Sequence, residues 1–173
     1  MFEVHSYIYL PIDAPDLDVP DEIEVTETSL IRKIDPYLDH NYLDGHIELN
    51  YYQEPILSKK QFDLIDQLWA ELIDLTLRAI YDKESKGYFP DRPLEMEMKI
   101  LQKGIVLFLL EEKKWYLPKR DFFLTIIDGG IDFFKHMNLG LSKENAIRYG
   151  YAKTYKECFT ARSIILDYLK KNV

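Results

Sequence analysis

The chain has 173 residues, 47% hydrophobic and 14% aromatic, which is ample for one domain with a sizeable core and too apolar for a disordered chain. A single cysteine, Cys158, excludes an intrachain disulfide and fits a reducing, cytoplasmic setting. A formal charge of −8 disfavours nucleic acid and anionic lipid as partners, and the longest apolar run, Ile105–Leu110, is far too short to cross a bilayer.

The negative charge is local. Residues 1–56 hold 13 acidic side chains against two basic ones, Arg32 and Lys33, a formal −11. Residues 57–173 hold 17 acidic and 20 basic groups, a formal +3. The opening MFEVHSYIYL lacks the basic start and apolar stretch of a secretory signal, so a soluble protein is expected.

Residues 2–10 alternate, which predicts a strand with Phe2, Val4, Ser6, Ile8 and Leu10 on one face. His5, Tyr7 and Tyr9 share the other. Residues 11–21, PIDAPDLDVPD, hold three prolines and four aspartates, and predict an acidic loop with little burial. Residues 22–28 alternate again, with Ile23 and Val25 opposed to Glu22, Glu24 and Thr26. Asp44-Gly45 is a turn pair. A third strand over 46–52 sets Ile47, Leu49 and Tyr51 against His46, Glu48, Asn50 and Tyr52.

The period then becomes helical. Phe62, Ile65, Leu68, Trp69, Leu72, Ile73, Thr76 and Ile80 form an apolar face that predicts a helix over 59–82, capped by Ser58 and ended within ESKG by Gly87. Asp63, Gln67, Ala70, Asp74 and Arg78 line its other side. After the loop YFPDRP, Met96, Met98 and Ile100 alternate with Glu95, Glu97 and Lys99. Lys103-Gly104 fits a tight turn, Ile105–Leu110 suits a strand covered on both faces, and Trp115–Leu117 a short return strand.

Pro118 suits a helix start. Phe123, Ile126, Ile127, Gly130, Ile131, Phe134 and Met137 give the following helix its buried face, and Gly129-Gly130 predicts close approach to the sheet. Ser142 caps a last helix running to about Lys171, with Ile147, Tyr151, Cys158, Ala161, Ile165 and Leu169 inside. The expected fold is one α+β domain over 1–173: a mostly antiparallel sheet of about five to six strands packed by about three α-helices.

Chemistry is sparse. The motifs for phosphate cradling and for a nucleophile elbow are absent, and Cys158 falls on an apolar helix face. Nothing calls for a cofactor. The densest cluster is Asp39-His40 … Asp44-Gly45-His46, whose residue types suit Zn or Mn and a metal-dependent hydrolase, although the spacing matches no standard motif. Lys113, Lys114, Lys119 and Arg120 surround Trp115 and Tyr116, a basic aromatic patch more economically read as a solvated hairpin tip. The tyrosines of the last helix (Tyr149, Tyr151, Tyr155, Tyr168) would suit a self-associating scaffold.

The acidic surface is the feature that points furthest. With the apolar faces of the first three strands turned inward, Tyr7, Tyr9, Glu22, Glu24, Glu48 and Tyr52 face outward, with Asp39 and Asp44 beside them. Tyrosine offers rigid contact area with a polar tip, and carboxylates around it suit the Arg and Lys of a basic protein partner.

The stretches GHIELNYY (45–52), DLIDQLW (63–69), FPDRPLEMEM (89–98) and KRDFFLTIIDGGIDFFK (119–135) follow one another as strand, helix, Phe-Pro-Asp turn, hairpin and amphipathic helix. In this order, over about 45–136, the chain resembles a group of small bacterial immunity proteins directed against polymorphic toxins. The resemblance implies direct binding and neutralisation of a cognate toxin domain, often a nuclease. These families share no catalytic residue, so no site transfers by position.

Overall fold

The N-terminal alternation becomes strand β1 (Phe2–Tyr9), with Ser6 and Ile8 buried on the face expected to turn inward. It lies between β2 (Glu22–Glu24) and β3 (Asp44–Tyr51), both antiparallel to it; β4 (Glu54–Leu57) and the two-residue β5 (Asp63–Leu64) pair with β3 to complete a five-stranded sheet. The computed structural model describes residues 1–171, so the last two residues of the expected domain lie outside the described residues.

A second antiparallel sheet is a meander of β6 (Glu84–Tyr88), β7 (Glu95–Ile100), β8 (Ile105–Leu110) and β9 (Lys113–Pro118). Among the described residues five α-helices accompany the two sheets: α1 (Thr28–Ile34), α2 (Ile65–Asp82), α3 (Lys119–Gly140), α4 (Lys143–Arg148) and α5 (Tyr151–Lys171). The α+β class is as expected. Among the described residues, the nine strands in two sheets and five helices exceed the one sheet of about five to six strands and about three helices read from periodicity.

Each difference has a local cause. Ser58 and Gln61 form a reciprocal capping box, but it closes a single 3₁₀ turn over 59–61, so α2 starts later, at Ile65. Phe62 is thereby left exposed, and Asp63 is buried because its Oδ1 accepts the backbone N–H groups of Leu64 and Asp91. At its other end α2 stops at Lys83, whose left-handed φ of 70° serves as the C-cap. Residues 84–88, read as a helix end, pair with β7 instead, Ser85 opposite Met98 and Gly87 opposite Met96.

The second strand is also shorter than expected. It ends at Glu24, and Val25 and Thr26 turn the chain into α1. The last helix is broken in two: Ser142 caps α4, and Gly150, at φ 82°, redirects the chain into α5. Ile147 is consequently exposed, whereas Tyr151, Cys158, Ala161, Ile165 and Leu169 are buried on α5 as the pattern implied.

One continuous apolar core joins both sheets to the helices. Gly129 and Gly130 allow close approach, but to a helix: a Cβ on Gly129 would sit 2.5 Å from Cη2 of Trp69, and one on Gly130 2.7 Å from Cδ1 of Ile73. The Trp69 indole, pressed there against α3, donates to Ser6 Oγ of β1 at 3.0 Å. Along β8 burial alternates; Val106, Phe108 and Leu110 face the core, while Ile105, Leu107 and Leu109 are only half-buried, so the strand is fully covered on one face. The 11–21 loop is held at its base by Leu10 N–H donating to the Asp21 carbonyl, and it buries Leu17 and Val19 partly against the core, more than its composition suggested. No helix among the described residues is long and apolar enough to cross a membrane.

Candidate functional site

Register builds the acidic face. Tyr7 lies between Glu24 of β2 and His46 of β3, Tyr9 opposite Glu22, and His5 opposite Glu48. Residues directly opposed across antiparallel strands share a face. Five of the residues expected to contact a partner, Tyr7, Tyr9, Glu22, Glu24 and Glu48, therefore meet on the outer face of the first sheet. Asp44 stands at the end of the same face, two residues before His46.

The centre of this face is His46, fully buried where an outward side chain was expected. Its ring stacks on Tyr7, centroids 4.8 Å apart and planes 10° from parallel, and its Nδ1 is 2.9 Å from the Tyr9 hydroxyl. Nε2 has no hydrogen-bond partner among the described residues; the nearest carboxylate, Glu48 Oε1, is 3.7 Å away. Burial pushes the His46 pKa below the usual imidazole value, against the opposing pull of Glu22 and Glu48. Burial, then the surrounding carboxylates, raises both phenols, Tyr9 to about 12. Both tyrosines are therefore neutral hydroxyls set in a negative field, suited to contact rather than to nucleophilic chemistry.

Lys59 and His5 already sit against the face. Lys59 pairs with Glu22 and places its Nζ 5.7 Å from the Tyr9 ring centroid. His5 Nδ1 lies 2.8 Å from Glu24 Oε1. This arrangement shows how a cationic side chain fits there: a carboxylate on one side, an aromatic ring on another.

Two expected members lie elsewhere. Asp39 is exposed in the α1–β3 connection, its Oδ1 accepting the Asn41 N–H at 2.9 Å. Tyr52 is 72% exposed at the β3–β4 turn with a left-handed φ of 47°, and it lines a different groove, with Phe2 and Asp121.

His40 and His46 do not converge. His40 is buried in a separate network, its Nε2 3.1 Å from Asp35 Oδ1, its Nδ1 3.4 Å from the Tyr151 hydroxyl and its ring stacked on Tyr149. The same Asp35 carboxylate accepts the Ser142 N–H and the Asn145 side-chain amide, each at 2.8 Å. Burial works to raise the Asp35 pKa, but these hydrogen bonds outweigh it and hold the carboxyl below its ordinary value. Burial, followed by the charges of Asp66 and Asp35, pushes the Tyr151 phenol far up, so it is no nucleophile. Among the described residues no group of three or more His, Cys, Asp or Glu is placed to hold a metal ion. The 39–46 cluster thus divides between a surface face and an internal clamp.

That clamp joins the acidic first third to α4 and α5, and no sequence pattern announces it: Asp35 and Asn145 are 110 positions apart. Tyr149, considered for self-association, is engaged within it. Cys158 is buried, its thiol raised to about 11 mainly by burial, as befits core filling. The expected basic aromatic patch is also divided. Trp115 is buried and donates to Glu54 Oε1 at 3.1 Å, while Lys119 and Arg120 open α3 at the far end of β9 from Lys113.

Comparison with known proteins yields no significant match to a family model, to a curated protein or to a solved structure.

Proposed function

We propose that this chain is a protein-binding module that neutralises a basic partner by direct contact through the outer face of its first sheet, in the manner of a cytoplasmic immunity protein facing a toxin domain. The observation that carries this reading is the meeting of Tyr7, Tyr9, Glu22, Glu24 and Glu48 on one sheet face, with Lys59 already held against a tyrosine and a carboxylate there. An electropositive nuclease site is a natural target, since occupying it excludes phosphate-bearing substrate without any chemistry. Opposite fields raise the encounter rate, and added salt weakens that attraction.

The test is capture from source-cell lysate on immobilised protein, at low and then raised salt, run beside a Glu24→Lys/Glu48→Lys variant. The expected result is one basic, toxin-like protein retained by the parent, released by salt and absent from the variant. Capture of no basic protein, or equal capture by the variant, overturns the reading.

A further inference from the structure

Strand β8 carries a mismatch between its sequence and its surroundings. All of its residues, Ile105–Leu110, are apolar, a composition that suits a strand covered on both faces. Val106, Phe108 and Leu110 enter the core. Ile105, Leu107 and Leu109 lie on the opposite face of the second sheet, half-buried and outside the apolar core of the described residues. Where an antiparallel sheet turns one face to solvent, such positions are ordinarily polar.

Register places the two leucines in rows that run across this face. Lys86, Glu97, Leu109 and Lys114 form one row; Glu84, Lys99, Leu107 and the exposed Tyr116 form the next. Lys86 and Lys99 both pair with Glu97, at 3.6 and 2.6 Å, which ties the long side chains of β6 and β7 to one another beside the leucines. The outward positions of the four strands hold three carboxylates, Glu84, Glu95 and Glu97, and three lysines, Lys86, Lys99 and Lys114. This face is therefore neutral on a chain of formal −8. A strongly charged partner gains little from it, whereas two copies of an acidic chain can meet there without the repulsion that opposes contact between their acidic faces.

We propose that this face is a homodimer interface, formed by two copies packed sheet on sheet about a two-fold axis parallel to β8. A two-fold interface must be complementary to itself. Rotation about that axis keeps each row in place and exchanges β7 with β9. Leu107 and Leu109 then meet their own counterparts on the axis and give β8 its second cover. Glu97 of one copy comes opposite Lys114 of the other, and Lys99 opposite the Tyr116 ring, in both directions. The angle of about 30° between aligned sheets displaces the outermost positions and leaves these central ones opposed. The overlap of three short strands is smaller than a standard interface, so the dimer is weak and forms at high concentration. The proposal does not rest on the protein-binding reading, whose surface is on the first sheet.

The test is sedimentation equilibrium of the full chain from about 10 µM to about 500 µM, at low and at raised salt. The expected result is a monomer–dimer equilibrium with Kd of about 100 µM that persists at raised salt and weakens at least about tenfold in Leu107→Gln/Leu109→Gln. Glu24→Lys/Glu48→Lys, on the acidic face, should not weaken it. Glu97→Lys and Lys114→Glu should each dimerise poorly alone and form a mixed dimer when combined, because each then meets its opposite charge across the axis. Should the leucine variant fail to fold, this charge-reversal pair decides. A monomer up to about 500 µM overturns the proposal in favour of a different protein as the cover of β8. A dimer that the folded leucine variant leaves intact, or no mixed dimer from the charge-reversal pair, overturns it as well.

Discussion

The acidic face and a lysine-lined groove between the β7–β8 turn and the ends of α2, α3 and α5 differ in charge, and they are built by opposite routes. The face is a product of register within one sheet, with its tyrosines and carboxylates drawn from three paired strands. The groove gathers Lys83, Lys103, Lys119, Arg120 and Lys171 from four segments that meet only in three dimensions. The face also carries an internal cation, Lys59, held against Glu22. A net charge of −8 therefore averages two regions of different charge, and neither is visible in the total.

The sharpest way to break this comparison is to reverse one field and read the other. Glu24→Lys/Glu48→Lys should weaken capture of a basic partner by about 100-fold, ~2.7 kcal/mol. Lys103→Glu/Arg120→Glu, in the groove, should leave that capture unchanged. Equal loss of capture in both variants would show that the two regions are not independent.

The next effect concerns what holds the acidic third to the rest. Asp35→Ala strands the Ser142 N–H, the Asn145 amide and His40 in a buried setting. We expect a loss of about 3 kcal/mol in urea unfolding, with one cooperative transition. An early separate transition would mean that the acidic third folds as its own unit.

A smaller effect separates the acidic face from an acid that lies off it. Burial raises Asp66 from its ordinary 3.8 to about 6, and its Oδ1 has no hydrogen-bond partner among the described residues. Between pH 4 and 6 the folded chain then holds more protons than the unfolded one, so stability falls as pH rises through that window. Asp66→Asn removes this dependence but also a charge that suits the start of α2. It should stabilise the protein by about 1–2 kcal/mol above pH 6, a gain that fades towards pH 4 in thermal melts. A gain that did not depend on pH would refute this origin.

Smallest in stability is Lys59→Ala. The lysine is largely exposed, so its loss should change stability by no more than about 0.5 kcal/mol. It makes the face more negative, and the association rate with a basic partner should rise at low salt, measured by stopped-flow mixing. A slower rate would assign Lys59 to the contact itself.

Much of the face was legible because alternation is a property of consecutive residues. Placing Tyr7 and Tyr9 opposite Ile8 needs only the strand period, and Glu22, Glu24 and Glu48 followed by the same rule. Burial of His46 was not legible, since it depends on Tyr7 and Tyr9 from another strand closing over the ring. Tyr52 fails for a backbone reason: its left-handed φ leaves the strand geometry on which the alternation rests. Ser58 was read correctly as a cap but assigned to the wrong helix, because a capping box looks the same before one 3₁₀ turn as before eighteen helical residues. The segment ESKGY misled more fully. Its residues suit a helix end, and only pairing with Met96 and Met98 makes it a strand.

By itself the sequence determined what periodicity and composition encode: an α+β class, the inward faces of β1, α2, α3 and α5, and a first third of strong negative charge. These are set by spacing along the chain, which survives in any arrangement of the elements. Only the tertiary structure decided that His40 and His46 part company, that Asp35 clamps residues more than a hundred positions away, and that five scattered cations line one groove. Those outcomes rest on contacts between segments distant in sequence, whose relative placement follows from the packing of the whole core rather than from any local pattern.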